Sequence, residues 1–244
     1  MNFKTYDIYT DASINTDLKV SCSGSIVVDR TMDKIVSENY LIKQQATNNM
    51  GEAIGIFMGV RDAIGLLWTS PEPFIVNIFS DSRISLFGAR EWISSWIMRQ
   101  TEDGDLIGSV GVIANQEWFS SIYNDILSSG VKVKFFHQKG HVNTHFTRDV
   151  YKAEKLFKLS NGMSSNMAGI DQYTLARYNN MVDEHSRTNL NSYLSGGDLN
   201  MVPNTMMIGE QAVKFNCNPD LINKYKDQTK GGLNYPINSN FGGM

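Results

Sequence analysis

The stretch FKTYDIYTDAS, residues 3–13, alternates apolar and polar side chains and then presents an acid, Asp11. A period of two is typical of a β-strand, so we predict a strand over residues 3–10 that ends at Asp11. Two further segments, VSCSGSIVVD at 20–29 and KIVSENYLI at 34–42, carry strand-forming residues and are separated by a short turn. Three consecutive strands with short connections predict a meander at the start of the fold.

Helical and strand patterns then alternate along the chain. Apolar residues at helical spacing predict helices over 50–68, 82–96, 115–127 and 147–159, and strands are predicted at 74–79 and 131–137. Asn48 or Asn49 is the expected N-cap of the first helix. The order βββαβααβα predicts an α/β fold over residues 1–162, with a mixed five-stranded sheet flanked by helices.

The composition changes after Gly162. Residues 163–244 are rich in Asn, Ser, Gly and Met, and we predict a C-terminal extension that is part helical and part extended. Helical spacing over 172–194 and 219–226 marks the helical parts. Two roles are open for this extension: a docking element for a protein partner, since methionines adapt to irregular apolar surfaces, or extra helices that pack on the core.

The charge balance limits how this chain could hold a polyanion. Its formal net charge is −3 and its pI is about 5.8, so nucleic acid would have to be held by a local patch, a metal or a partner. Two distant cysteines indicate a reducing compartment, and neither a secretory signal nor an apolar run of membrane length is evident. We expect a cytoplasmic location.

Four acids lie where the sequence pattern changes: Asp11, Glu52, Asp81 and Asp149. Each alone could be a turn residue, a helix cap or a partner of a helix dipole. Together, at neighbouring strand and helix ends, they could supply the hard oxygen ligands that two divalent ions require. Paired ions about 4 Å apart support phosphodiester hydrolysis, one activating water and the other stabilising the leaving oxygen.

The residues around these acids resemble those of type 1 ribonuclease H, over about residues 3–160. YTDAS at 9–13 resembles the family's TDGS, ATNNMGEA at 46–53 its TNN-x-x-E, and FSDSR at 79–83 its TDS word. Trp92 and Trp96 follow at the family's spacing, NQEWFSSIYNDI at 115–126 resembles its Asn-containing helix, and KGHVN at 139–143 matches KGH. The chain is identified as ribonuclease H-like because these words keep the family's order.

The resemblance implies an endonuclease that cuts the RNA strand of RNA–DNA hybrids and leaves 3′-hydroxyl and 5′-phosphate ends. It implies two Mg²⁺ ions, which Mn²⁺ could replace, held by the four acids, and a turnover role for His141. By the same resemblance, Asn15, Asn48 and Asn49 would contact the minor groove of the hybrid and Thr47 would hold a DNA phosphate.

Three departures from the family leave questions open. The loop after His141 is short, so Glu154 is an alternative to Asp149 as the fourth acid. The region after the paired tryptophans is net acidic where many members are lysine-rich, which predicts weak affinity for the hybrid. The family has no standard counterpart of residues 163–244.

Two other functions remain open at this point. The same fold could act on another substrate, such as a DNA junction or a single strand, although the TNN word favours a ribose-containing one. The chain could also be a weakly active subunit of a replication or nucleoprotein assembly, docked through its C-terminal extension.

Overall fold

The computed structural model describes residues 3–138, 140–141, 169–170, 172–196, 205–207 and 215–233. The strands are β1 Lys4–Asn15, β2 Val20–Asp29, β3 Lys34–Gln44, β4 Phe74–Ser80, β5 Ile107–Gly108, β6 Gly111–Val112, β7 Val133–His137 and β8 Thr205–Met207. The α-helices are α1 Asn48–Thr69, α2 Arg83–Phe87, α3 Ile93–Ile97, α4 Gln116–Ser129, α5 Gln172–Leu194 and α6 Ile222–Gln228. A π-helical turn, Gly88–Trp92, joins α2 to α3, and a 3₁₀ turn, Pro219–Leu221, precedes α6.

The main sheet has the strand order β7-β4-β1-β2-β3, with short β8 at the outer edge of β3. The first three strands pair antiparallel, whereas β4 runs parallel to β1 and to β7. The predicted mixed five-stranded sheet flanked by helices is therefore confirmed. Within the described residues, no helix is both long enough and apolar enough to cross a membrane.

The first strand extends further than its sequence pattern predicts. We expected it to end at Asp11, but β1 continues to Asn15 and pairs Asp11 with Gly24 of β2. The long β1–β2 hairpin supplies backbone partners beyond the acid, which explains why the strand does not stop there. Asp11 thus lies inside a strand, where its backbone is held by a neighbouring strand.

Helix α1 lies close to one face of the sheet because glycines recur on its inner side. A Cβ added at Gly51 would lie 3.0 Å from the Ala12 Cβ, and one at Gly59 would lie 3.0 Å from the Thr10 Cγ2. The α1 face and α4 enclose a core with Ile8, Ile78 and other apolar side chains. Small residues at this spacing fix how near the helix axis comes to β1.

Helix α5 covers the opposite face of the sheet. Its inner side chains bury against β1, β2, β4 and β7 in a second apolar cluster, which includes Tyr9, Cys22, Ile26, Phe79, Phe136, Leu175, Tyr178, Val182 and Leu190. At Gly24 an added Cβ would lie 2.8 Å from the Val182 Cγ2 and 2.6 Å from the Ser186 Oγ. The glycine therefore lets α5 rest directly on β2. Of the two roles considered for the extension, these contacts favour packing on the core.

The segment 215–233 is held against α4 and the helix that follows β4. The buried Tyr225 donates its hydroxyl to the carbonyl of Ala89, inside the π-helical turn. The Arg90 side chain donates to the carbonyls of Thr229 and Leu233. We predicted one helix over 82–96; the π turn interrupts it where its backbone meets this distant segment.

Two further predictions lie partly or wholly outside the described residues. The predicted helix over 147–159 is outside them, and so is most of the segment that would join a catalytic domain 1–162 to an extension 163–244. That domain boundary stays a prediction.

Candidate active site

Three acids from distant parts of the chain meet at one edge of the sheet. Asp11 comes from β1, Glu52 from α1, and Asp81 directly follows β4. One carboxylate oxygen from each lies within 4.8 Å of the others. Because β1 and β4 are adjacent and parallel, Asp11 and Asp81 emerge at the same end, and α1 brings Glu52 across them.

The start of α1 sets the position of Glu52. Thr47 is the N-cap: its Oγ1 accepts a hydrogen bond of 3.2 Å from the Met50 backbone amide. The expectation of a cap at Asn48 or Asn49 was wrong by one or two residues. No acid lies in the first turn of α1, so complementing the helix dipole there does not explain Glu52. Its carboxylate instead turns inward and is 7% exposed.

Asp81 is held by the backbone that follows β7. A Cβ added at Gly140 would lie 1.8 Å from the Asp81 Oδ2 and 2.8 Å from its Cγ, so only glycine leaves room for this carboxylate. The His137 Nε2 lies 3.1 Å from the Asp81 carbonyl oxygen, and as a donor it would fix that backbone. Burial lowers the pKa of His137 to about 4, so its ring is neutral near pH 7.

The cluster is electrostatically unfavourable without a cation. Burial, followed by the charge of Asp81, raises the pKa of Asp11 well above its ordinary value. Burial and then the charge of Asp11 do the same to Glu52, and burial also raises the pKa of Asp81. Among the described residues, Asp11 Oδ2 and Glu52 Oε2 are buried without a hydrogen-bond partner. Buried, unpaired carboxylate oxygens that face one another are suited to a divalent metal ion.

A fourth acid, Asp183 on α5, lines the same cleft. The cleft has a volume of about 260 Å³ and is also lined by Ala12, Asn48, Ser82 and His141. The charge of Asp183 contributes to the raised pKa of Asp11, Glu52 and Asp81. Sequence reasoning missed it, because the family resemblance covers only about residues 3–160 and points there to Asp149 or Glu154. The available signal was an acid inside the helical pattern predicted over 172–194.

His141 lies at the mouth of this cleft. Its backbone is left-handed, with φ of 53°, and its side chain is 79% exposed. The Nδ1 atom is 3.5 Å from the Asp183 Oδ2. The imidazole is therefore next to the acids and still open to solvent.

Residues 4–158 match a family model. The model, described as RNase H, matches residues 4–158, which is more than half of the chain. This chain belongs to the RNase H family. The predicted resemblance is thereby confirmed, and membership supports a hydrolase of the nuclease class. No curated protein sequence matches the chain significantly.

Similar solved structures carry RNase H names but are distant. The N-terminal RNase H domain of a Mycobacterium tuberculosis protein, fused to maltose-binding protein, is 21% identical, with 35% of this chain and 58% of that chain covered and a TM-score of 0.31. RNase H1 of the halophilic archaeon Halobacterium salinarum is 15% identical, with 55% and 86% covered and a TM-score of 0.38. LC11-RNase H1 in complex with RNA/DNA hybrid is 16% identical, with 55% and 85% covered and a TM-score of 0.39. The family assignment depends on the sequence match.

The predicted substrate-binding residues have different positions. Asn48 lines the acidic cleft and Asn49 is exposed beside it, while Thr47 is exposed and caps α1. The Asn15 Oδ1 accepts a hydrogen bond of 2.9 Å from the Leu18 amide, which gives this side chain a role in the β1–β2 turn. Asp149 and its alternative, Glu154, lie outside the described residues.

Proposed function

We propose that this protein is a ribonuclease H, an endonuclease that hydrolyses the RNA strand of RNA–DNA hybrids and leaves 3′-hydroxyl and 5′-phosphate ends. The observation that carries the proposal is the cluster of carboxylates of Asp11, Glu52 and Asp81. These residues lie in the motifs YTDAS, TNNMGE and FSDS of a chain that belongs to the RNase H family. Neighbouring acids are kept in a buried cluster, at a cost to stability, where the function needs them.

The residues present fit divalent metal ions. Asp11, Glu52 and Asp81 would hold Mg²⁺ or Mn²⁺, because they offer hard oxygen ligands within 4.8 Å of one another. The proposed set is completed by Asp183, which lines the same cleft. A bound pair of such ions would activate water and stabilise the charge that develops on the leaving oxygen.

The other residues of the cleft would bind and release the hybrid. Asn48, exposed at the rim, carries an amide that can exchange hydrogen bonds with ribose 2′-hydroxyls and base edges in the minor groove. Thr47 and Asn49 flank it and are exposed on the same approach. His141, open to solvent beside Asp183, would contact the product phosphate as it leaves.

A cleavage assay tests the proposal. A hybrid with labelled RNA should be cut by the full chain in Mg²⁺ and not in EDTA, and Asp81→Asn should abolish cutting because it removes a central ligand. Asp103→Asn, which changes an exposed acid in the loop after α3, is the matched control and should retain full activity. Full activity of Asp81→Asn would refute the proposal.

The identity of the fourth acid can be decided in the same assay. Asp183→Asn is expected to reduce cleavage strongly, since Asp183 lines the cleft. Asp149→Asn and Glu154→Gln are compared with it. If cleavage were lost only in Asp149→Asn or only in Glu154→Gln, that residue and not Asp183 would be the fourth acid, as the sequence analysis predicted.

The substrate class is tested by competition among nucleic acids. The hybrid should be cut in preference to duplex DNA, a DNA junction and single-stranded RNA, because the TNN residues at 47–49 flank the cleft. Preferential cutting of the junction or of a single strand would instead favour the alternative of the same fold acting on another substrate.

A further inference from the structure

Asp183 reaches the acidic cleft only because α5 lies in one particular position along the sheet. The face of this helix that lies on the sheet packs through apolar side chains, among them Leu175, Tyr178 and Val182. Apolar contacts are not directional, and they tolerate small sliding or rotation of a helix. A shift of about one residue would move a side chain by about 1.5 Å along the axis and about 100° around it. Something more directional is needed to keep Asp183 beside the other acids.

The described structure contains such a contact one helical turn before Asp183. Asn179 accepts a hydrogen bond through its Oδ1 from the Nε2 of Gln138. Asn179 is 0% exposed and Gln138 is 1% exposed, so the bond is shielded from water. Residues four apart lie on the same side of a helix, so Asn179 and Asp183 face the sheet edge together.

Gln138 belongs to the backbone that carries the rest of the site. Its own amide donates a 3.0 Å hydrogen bond to the carbonyl of Ser80, the residue before Asp81. Two residues after Gln138, Gly140 passes against the Asp81 carboxylate. The side chain of Gln138 therefore links α5 to the strand ends that position Asp81.

The link is specific because it is a single bond between two buried amides. Among the described residues, the other two amide atoms of the pair, Gln138 Oε1 and Asn179 Nδ2, have no hydrogen-bond partner. Removing one amide would leave the other buried and unpaired, which is unfavourable unless the helix moves to relieve it. Either outcome is expected to disturb the helix next to Asp183.

We propose that Gln138 and Asn179 are positioning residues that hold Asp183 in register with Asp11, Glu52 and Asp81. This inference rests on the proposed function only in taking the four acids as the metal site. It goes further by assigning the affinity of that site to a buried amide pair that contacts neither metal nor substrate. Neither Gln138 nor Asn179 belongs to the sequence motifs through which this chain resembles the family.

The test measures metal binding without any substrate. Asn179→Leu removes the amide at similar volume, and Asn189→Leu, at another buried asparagine of α5, is the matched control. Calorimetric titration with Mg²⁺ should show about tenfold weaker binding for Asn179→Leu, the usual effect of removing a partner that orients a metal ligand. Asn189→Leu should bind Mg²⁺ like the wild type even where its melting temperature falls by a similar amount.

Two additional variants separate positioning from simple destabilisation. In an Asp183→Asn background, Asn179→Leu should cause no further loss of Mg²⁺ affinity, because both changes act on the same ligand. Exchanging the two side chains, Gln138→Asn with Asn179→Gln, keeps the combined length of the bridge and should restore most of the affinity. The proposal would be overturned if Asp183→Asn and Asn179→Leu reduced the Mg²⁺ affinity additively when combined. Equal losses of Mg²⁺ affinity in Asn179→Leu and Asn189→Leu would also overturn it.

The outcome is independent of which nucleic acid is cut. If Asp183→Asn and Asn179→Leu both weaken Mg²⁺ binding but the wild type does not cut hybrids, the proposed substrate is wrong and the positioning role stands. If hybrids are cut and Asn179→Leu binds and uses Mg²⁺ normally, the proposed function stands and the positioning role is wrong.

Discussion

At the scale of single residues, burial governs how the clustered acids behave. The pKa of Glu52 is raised first by burial and then by the charge of Asp11. The native state therefore binds a proton at Glu52 more tightly than the unfolded chain does. The free energy of unfolding then falls as the pH rises through and above the ordinary glutamate pKa of about 4.3.

Glu52→Gln is accordingly expected to stabilise the metal-free protein. Thermal unfolding in EDTA should show a gain in melting temperature that is small near pH 5 and larger at pH 8. The reason is that Glu52 of the folded wild type carries its unfavourable charge only at higher pH, and the substitution removes that charge. Glu72→Gln, at an exposed acid, should show no such trend. A gain that shrinks with rising pH would contradict the electrostatic explanation.

Gly140 offers a second prediction at this scale. Gly140→Ala should displace the Asp81 carboxylate, since the new Cβ would lie 1.8 Å from its Oδ2. We expect at least a tenfold loss of hybrid cleavage with the fold retained, measured by initial rates and circular dichroism. Gly65→Ala is the control, because a Cβ added at Gly65 would have no neighbour within 4 Å. Gly130→Ala is less suitable because the backbone of Gly130 is left-handed. Normal cleavage by Gly140→Ala would show that Asp81 does not need this position.

At the scale of elements, the glycine face of α1 determines the distance between helix and sheet. Gly59→Leu should destabilise the protein by about 1–3 kcal/mol, because the larger side chain meets the methyl groups of Thr10 and Ile8. Gly65→Ala, on the exposed side of the same helix, should instead stabilise it by about 0.5–1 kcal/mol. Denaturant titration measures both values, and equal effects at the two glycines would contradict this account of the helix–sheet contact.

The elements also show which parts of the fold a sequence can reveal. Periodicity located α1, β4 and β7 and gave their order along the chain, because each has a regular pattern. The end of β1 was misjudged, since its last residues are held by β2 rather than by their own apolar pattern. The π turn at 88–92 was not predicted, because the hydroxyl that binds it belongs to Tyr225, far along the chain.

The site was partly predictable for a related reason. Asp11, Glu52 and Asp81 were found because each lies beside a short word whose spacing is fixed by one strand or helix. Asp183 was not found, because its place beside them depends on how α5 crosses the sheet at Gly24. The Thr47 cap was missed by one or two residues, within the usual uncertainty of a helix boundary.

At the scale of the whole molecule, the C-terminal helix α5 covers one face of the sheet that the N-terminal residues form. We expect that removal of residues 163–244 lowers the melting temperature sharply and reduces cleavage, since it uncovers the sheet face under α5. Burial of a large apolar side chain contributes about 1.5–3 kcal/mol, so losing several is comparable to a total stability of about 5–15 kcal/mol. Differential scanning calorimetry and the hybrid assay measure the two effects.

A shorter deletion is the control for that experiment. A chain that ends after Leu233 keeps every described residue and should retain its stability and activity. If the longer deletion left both properties unchanged, residues 163–244 would be a separable docking element, as one of the sequence hypotheses holds.

The position of α5 also has a consequence for synthesis on the ribosome. The strands β1 to β4 and β7 of the main sheet are complete in the nascent polypeptide by residue 137, but the helix that covers one of its faces ends only at Leu194. Until then, Cys22, Phe79 and Phe136 have no cover from that helix and could bind a chaperone or another nascent chain. Slow translation between residues 138 and 194 would prolong that interval, and the yield of native protein in a cell should fall accordingly.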